Sequence, residues 1–206
     1  MTILDLSPVV PVVVLDDLEA AEPLARALVD GGVRVIELTL RTAVALEAIE
    51  RIAAAVPEIV IGAGTVVDPD HAKAAASAGA QFLVSPGSTP ALLDAMADTG
   101  LPVLPGCATI SEAMALRERG ITEVKFFPAQ ASGGAAFLAA VHGPLPDLRF
   151  CPTGGITATN APDYLALPNV GCVGGTWLTP ADAVREGDWK RITALASAAL
   201  HLGDSH

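Results

Sequence analysis

Of the 206 residues only three are lysines, Lys73, Lys125 and Lys190, against nine arginines. Lys125 has the most informative surroundings. It stands between Val124 and Phe126, late in the apolar run Ile121–Phe127, whose length predicts a buried strand. Removing an ammonium from water disfavours its charge, and a neutral amine is a nucleophile that condenses with a carbonyl to a Schiff base. A strand lysine can instead pack its stem and lead its head to solvent, or join a structural ion pair. The strand-end position, the aromatic neighbours and the scarcity of lysine favour the chemical reading.

Glu37 is the natural companion. The two-residue period of a strand puts Glu37, Thr39 and Arg41 on one side, where the run Val33–Leu40 ends. A carboxylate beside Lys125 could relay protons, and a guanidinium could clamp a substrate carboxylate through two parallel hydrogen bonds. The same two charges could also do no more than neutralise each other in a structural Glu37–Arg41 bridge.

Two glycine pairs, Gly154-Gly155 and Gly174-Gly175, follow the last two apolar runs. Backbone N–H groups in such turns cradle phosphate, and glycine permits the close approach. Tight turns needing positive φ would use the same residues. Gly62-Ala63-Gly64-Thr65 is less specific: a turn, or amides that help to hold a carboxylate.

These groups need elements to position them. Apolar runs of strand length occupy Val9–Leu15, Val33–Leu40, Glu58–Ile61, Gln81–Ser85, Pro102–Cys107, Ile121–Phe127, Leu148–Pro152 and Val170–Gly174. Segments of helical period lie between them. Asp16-Asp17 opens the first and Gly31-Gly32 closes it, with Leu18, Ala21, Leu24, Ala25 and Leu28 as its apolar stripe. Thr89 opens another, and Thr109-Ile110-Ser111-Glu112 begins a third that ends at Gly120. Strict βα alternation implies a parallel sheet, and eight units predict a compact (β/α)8 barrel, a single domain over residues 1–206. A doubly wound open sheet fits less well, because the first βα turn, Val14-Leu15-Asp16-Asp17, carries no glycines. In a barrel the chemistry belongs at the C-terminal ends of the strands, where Glu37, Arg41, Thr65, Lys125 and the two glycine pairs fall.

Composition narrows the partners. The chain is 51% hydrophobic and 17% charged, with a mean hydropathy of +0.50, which excludes disorder and leaves apolar surface for a core and a subunit interface. No uncharged run approaches the ~18 residues of a membrane span, and no basic region precedes the first apolar stretch. A net charge of −11 argues against nucleic acid. Cys107, Cys151 and Cys172 are odd in number and far apart, so reduced thiols and a cytoplasmic location are expected. His71, His142, His201 and His206 show no metal spacing, and no metal is expected. Trp177 and Trp189 read as packing for the last helices, the cysteines as core, and Lys73 and Lys190 as exposed helix residues.

The ordered blocks Gly31-Gly32-Val33-Arg34, Glu37-Leu38-Thr39-Leu40-Arg41-Thr42, Gly62-Ala63-Gly64-Thr65-Val66, Val124-Lys125-Phe126-Phe127-Pro128-Ala129, Phe150-Cys151-Pro152-Thr153-Gly154-Gly155-Ile156 and Gly174-Gly175-Thr176-Trp177-Leu178 resemble the 2-keto-3-deoxy-6-phosphogluconate (KDPG) and 4-hydroxy-2-oxoglutarate (KHG) aldolase family. The resemblance implies a class I aldolase on a (β/α)8 barrel, a homotrimer, with no cofactor beyond a covalent Schiff base. It implies Lys125 as the Schiff-base lysine and Glu37 as general acid and base. Arg41 and Thr65 would meet the pyruvate carboxylate, and Pro86 and Phe127 would line the pyruvyl pocket. Thr153 would contact the sugar-acid chain, as in the gluconate type. Gly154, Gly155, Gly174, Gly175 and Thr176 would hold the phosphate. The implied reaction splits KDPG, a keto-acid phosphate of the Entner–Doudoroff pathway, into pyruvate and glyceraldehyde 3-phosphate. Alternatives are KHG, the galactonate-derived isomer, and a non-catalytic phosphosugar-binding barrel. Gln130, Ser132, Ser88 and Thr176 depart from the familiar family pattern.

Overall fold

The computed structural model describes residues 2–203. Met1 and residues 204–206, the ends of the expected 1–206 domain and the site of His206, lie outside the described residues. Among the described residues nine short strands are interleaved with helices, except that β6 follows β5 directly: β1 Val9–Val13, β2 Val35–Thr39, β3 Val60–Gly64, β4 Phe82–Val84, β5 Val103–Leu104, β6 Gly106–Cys107, β7 Glu123–Phe126, β8 Arg149–Pro152 and β9 Val173–Gly175. The helices are α1 Ala21–Asp30, α2 Ala45–Ala55, α3 Pro69–Ser77, α4 Pro90–Asp98, α5 Ile110–Glu118, α6 Gly134–His142, α7 Ala161–Leu165, α8 Ala181–Glu186 and α9 Trp189–Leu200. No helix among the described residues is long and apolar enough to cross a membrane.

All strand pairings are parallel. One curled sheet runs β5-β4-β3-β2-β1-β9, and a second runs β6-β7-β8. Together they form an α/β barrel-like fold. Single bridges, Phe150↔Val170 and Thr153↔Gly174, link the β8 region to the β9 region. Strands β1 and β2 are buried along their whole length, as expected of a sheet covered on both faces.

Several element boundaries differ from the sequence expectation, each for a local reason. The run Pro102–Cys107 breaks at Pro105, which has no N–H to give a ladder; its carbonyl instead accepts from the Lys125 N–H at 2.9 Å. The third strand starts later than Glu58 and continues through Gly62 and Gly64, which had read as a loop. Glycine is needed there: a Cβ on Gly62 would stand 2.2 Å from the Phe82 ring. The last strand begins at Val173 rather than Val170. The segment opened by Asp17 is first a 3-10 turn, Leu18–Ala20, with the Asp17 side chain accepting from the Glu19 N–H. Thr89 caps α4, and Thr109 with Glu112 forms a reciprocal capping box on α5, as the sequence predicts.

The core lies between the strands and the helix layer, with Leu24, Leu28, Ile36, Leu38, Ile49, Phe82, Phe126 and Phe150 buried. Burying one such side chain is worth about 1.5–3 kcal/mol. Ile3 and Leu4 are buried too, and the turn that carries them is tied by Arg149, which binds Asp5 at 2.6 Å and Glu123 at 3.1 Å. Lys73 and Lys190 are exposed, as expected.

Candidate active site

Lys125 and Glu37 come from different sheets. Lys125 on β7 is in register with Gly106 and Cys151, whereas Glu37 on β2 is in register with Val12 and Gly62. Their side chains meet across the interior. Lys125 Nζ donates to Glu37 Oε1 at 3.0 Å, between residues 88 apart in sequence. The two side chains are 6% and 3% exposed. Two charges taken this far from water are costly unless each answers the other, so the pair is held as a unit. The amine also lies 5.5 Å from the centroid of the Phe127 ring.

Glu37 has room because β3 presents glycine beneath it. A Cβ on Gly64 would stand 2.2 Å from Glu37 Oε1. The next residue, Thr65, takes a left-handed backbone, φ 58°, which a β-branched side chain adopts only under strain. Its hydroxyl oxygen accepts from Arg41 Nε at 3.2 Å. Arg41 makes no ion pair among the described residues, so the possible Glu37–Arg41 bridge does not form. Its guanidinium is exposed just beyond the end of β2.

On the other side, Thr153 follows β8 and packs over Gly174, where a Cβ would meet its hydroxyl at 2.2 Å. Gly154 and Gly155 both have positive φ, 98° and 78°. Gly154 lies against the Phe127 ring, its would-be Cβ 3.2 Å away. Thr176 is exposed beside this turn region, at the end of β9. Pro86 packs its backbone on Gly106, and the Ser88 hydroxyl donates to the Gly106 carbonyl at 2.7 Å. Thus a buried amine and carboxylate, carried inside β7 and β2, lie below an exposed guanidinium, a strained threonine and positive-φ glycines that follow strand C-terminal ends.

A sequence model of the KDPG and KHG aldolase family matches residues 1–195. The chain belongs to this family. A 2-dehydro-3-deoxy-phosphogluconate aldolase of Dickeya dadantii (strain 3937) is 54% identical over 198 residues, spanning 96% of this chain and 93% of the relative. The KHG/KDPG aldolase of Escherichia coli (strain K12) is 53% identical over 199 residues, spanning 97% and 93%. A solved KDPG aldolase from Legionella pneumophila, with pyruvate captured at low pH as a covalent carbinolamine intermediate, aligns with a TM-score of 0.94 at 46% identity. That alignment covers 96% of each chain.

In this family member the structure brings together Lys125 with Glu37, Arg41 with Thr65, Thr153 with Gly174, and Phe127 with Gly154. Trp177 packs against the core as expected, close to Gly175, where a Cβ would stand 1.8 Å from its ring, and it also lines a cavity of about 370 Å³ with Val12, Val14 and Thr176. The larger groove of about 510 Å³, bounded by Pro23, Arg26, Trp189 and Lys190, lies between α1 and α9.

Sequence reasoning missed the seat that Gly64 makes for Glu37, and the side chains of Ser85, Tyr164 and Asn160. Ser85 is fully buried, and its hydroxyl oxygen accepts from the Gly106 N–H at 3.3 Å. Its place at the end of β4 was the available signal. The three cysteines are free and buried, as expected. Burial, with Glu112 nearby, pushes the Cys107 thiol up to about 12. No group of three or more metal-ligating side chains occurs among the described residues.

Proposed function

We propose that this chain is a class I aldolase, a lyase that cleaves KDPG to pyruvate and glyceraldehyde 3-phosphate through a Schiff base on Lys125. The observation that carries this reading is the buried 3.0 Å contact between Lys125 Nζ and Glu37 Oε1. Proton transfer to Glu37 frees the amine, which attacks the C2 ketone to form a carbinolamine. Glu37 returns the proton to the carbinolamine hydroxyl, water leaves, and an iminium remains. The iminium draws the electron pair of the C3–C4 bond while Glu37, directly or through a water, takes the C4 hydroxyl proton. Glyceraldehyde 3-phosphate departs, the enamine is protonated at C3, and hydrolysis releases pyruvate and the free lysine. The iminium is the electrophile, so the scheme uses no cofactor or metal.

The binding roles are those that the family resemblance implies. Arg41 and Thr65 hold the pyruvyl carboxylate, and Pro86 and Phe127 border the pyruvyl carbon. Thr153 faces the hydroxylated chain. Gly154, Gly155, Gly174, Gly175 and Thr176 take the phosphate. The two sheets belong to one closed (β/α)8 barrel and a single domain over 1–206. Supporting closure are the two single bridges between the β8 and β9 regions on one side and, on the other, the direct link of β5 to β6 by the one residue Pro105. A cytoplasmic homotrimer in the Entner–Doudoroff pathway completes the reading. The exposed apolar side chains Val14, Val67 and Met114, 46%, 51% and 48% exposed, would suit subunit contact.

A second activity on KHG is favoured by the name of the Escherichia coli relative. The deciding experiment is borohydride reduction in the presence of pyruvate, followed by peptide mass spectrometry. A reduced pyruvyl adduct on Lys125 is expected. Its absence, with an active control enzyme alongside, would leave a phosphosugar-binding barrel as the better account.

A further inference from the structure

The Gly154-Gly155 turn is held by a backbone amide and by side chains that the reaction scheme does not use. The Gln130 N–H donates to the Gly154 carbonyl at 3.0 Å, and Asn160 Nδ2 donates to the Gly155 carbonyl at 3.0 Å. Asn160 is itself fixed by Thr157, whose N–H donates to Asn160 Oδ1 at 2.8 Å while the Asn160 N–H donates to the Thr157 hydroxyl at 3.3 Å. The Gln130 stem lies against Gly155, where a Cβ would stand 2.6 Å from the Gln130 Cβ. Its far end is anchored as well, because the buried Tyr164 hydroxyl donates to Gln130 Oε1 at 2.8 Å. Gly134 leaves space for that contact, its would-be Cβ being 3.2 Å from the Tyr164 hydroxyl.

Both carbonyls of the glycine pair are therefore engaged. Both residues hold a positive φ that glycine adopts without strain, so their peptide planes depend on these outside ties. The Gly155 N–H has no protein acceptor among the described residues. We propose that Asn160 and the Gln130–Tyr164 pair are positioning residues that hold the Gly154-Gly155 peptide planes with their amides toward the substrate phosphate. This rests on the phosphate assignment made above. Without either tie the peptide planes rotate, and the enzyme loses its preference for the phosphorylated substrate while the lysine chemistry is untouched.

The test compares wild type, Asn160→Ala and Tyr164→Phe on KDPG and on its dephosphorylated analogue. KM for KDPG rises roughly three- to tenfold in each variant, the scale of one lost hydrogen bond, with kcat within about twofold. The kcat/KM for the analogue stays within about twofold of wild type, and pyruvate trapping on Lys125 proceeds at the wild-type rate. Equal losses on both substrates, or an unchanged ratio between them, would overturn the proposal. A wild type that does not discriminate the two substrates would remove the phosphate assignment and this inference together; a discriminating wild type whose variants keep the same substrate ratio removes this inference alone. Tyr164→Phe keeps the buried ring, so the test survives if Asn160→Ala does not fold.

Discussion

The carboxylate of Glu37 rests on Gly64, which leaves no space for even one methyl group: a Cβ there would stand 2.2 Å from Oε1 and 2.6 Å from Cγ. Gly64→Ala therefore acts on Glu37 without changing it. We expect kcat to fall by about ten- to a hundredfold, part of the 10²–10⁴ that a positioned acid–base group supplies. Overpacking also lowers stability by about 1–3 kcal/mol. Steady-state kinetics with urea unfolding checks both, and a wild-type kcat would remove Glu37 from the proton relay.

Lys125 and Glu37 support each other's burial. Lys125→Met strands a buried carboxylate and should cost about 3–5 kcal/mol at pH 7, besides abolishing the pyruvate adduct. Adding Glu37→Leu should recover much of that stability while activity stays lost. Urea denaturation of both singles and the double measures the coupling. Additive losses would mean that the pair is not energetically linked.

Arg149 holds the Asp5 carboxyl below its ordinary value, chiefly by hydrogen bonding, with Thr2 adding to the effect. A carboxyl with a lowered folded value adds stability above its unfolded value and loses it as the pH falls through the folded one. Asp5→Asn should thus be less stable than wild type at pH 7, by less than about 1 kcal/mol because the pair is exposed. The gap should close once the pH is below both values. Paired unfolding curves across the acid range test this; a gap that widens on acidification contradicts it.

The thiols should be inert in the folded state. Burial raises the Cys107 thiol to about 12, and the contact with Cys151, then burial, raises that of Cys172. Ellman's reagent at pH 8 should find no fast-reacting thiol in native protein and all three after denaturation. Rapid labelling of native Cys107 would contradict its buried placement.

Much of the site was legible locally. Lys125 and Glu37 in strands and the Gly154-Gly155 turn after β8 need only period and residue type. By contrast, Arg41 lies past the end of β2, and Gly174-Gly175, expected after the last strand, lie inside β9 paired with Val10 and Pro11. The caps at Thr89 and Thr109 were equally legible, because capping is a contact within three residues. Strand β3 was not: two of its five residues are glycines, and glycine signals a turn unless the neighbouring strands demand it. The partner of Arg41 was also hidden, because Thr65 depends on a left-handed backbone that a threonine does not advertise.

The sequence by itself determined the alternation of elements, the rarity of lysine and its place in a strand, since these follow from period, length and composition. Only the tertiary structure decided that Lys125 meets Glu37 rather than solvent, that Arg41 turns to Thr65, and that Trp177 covers Gly175. Each of those choices is made by groups from separate elements or opposed turns competing for the same space. Where a glycine leaves that space open, beneath Glu37 or under Trp177, depends on how the strands come together rather than on the residue alone.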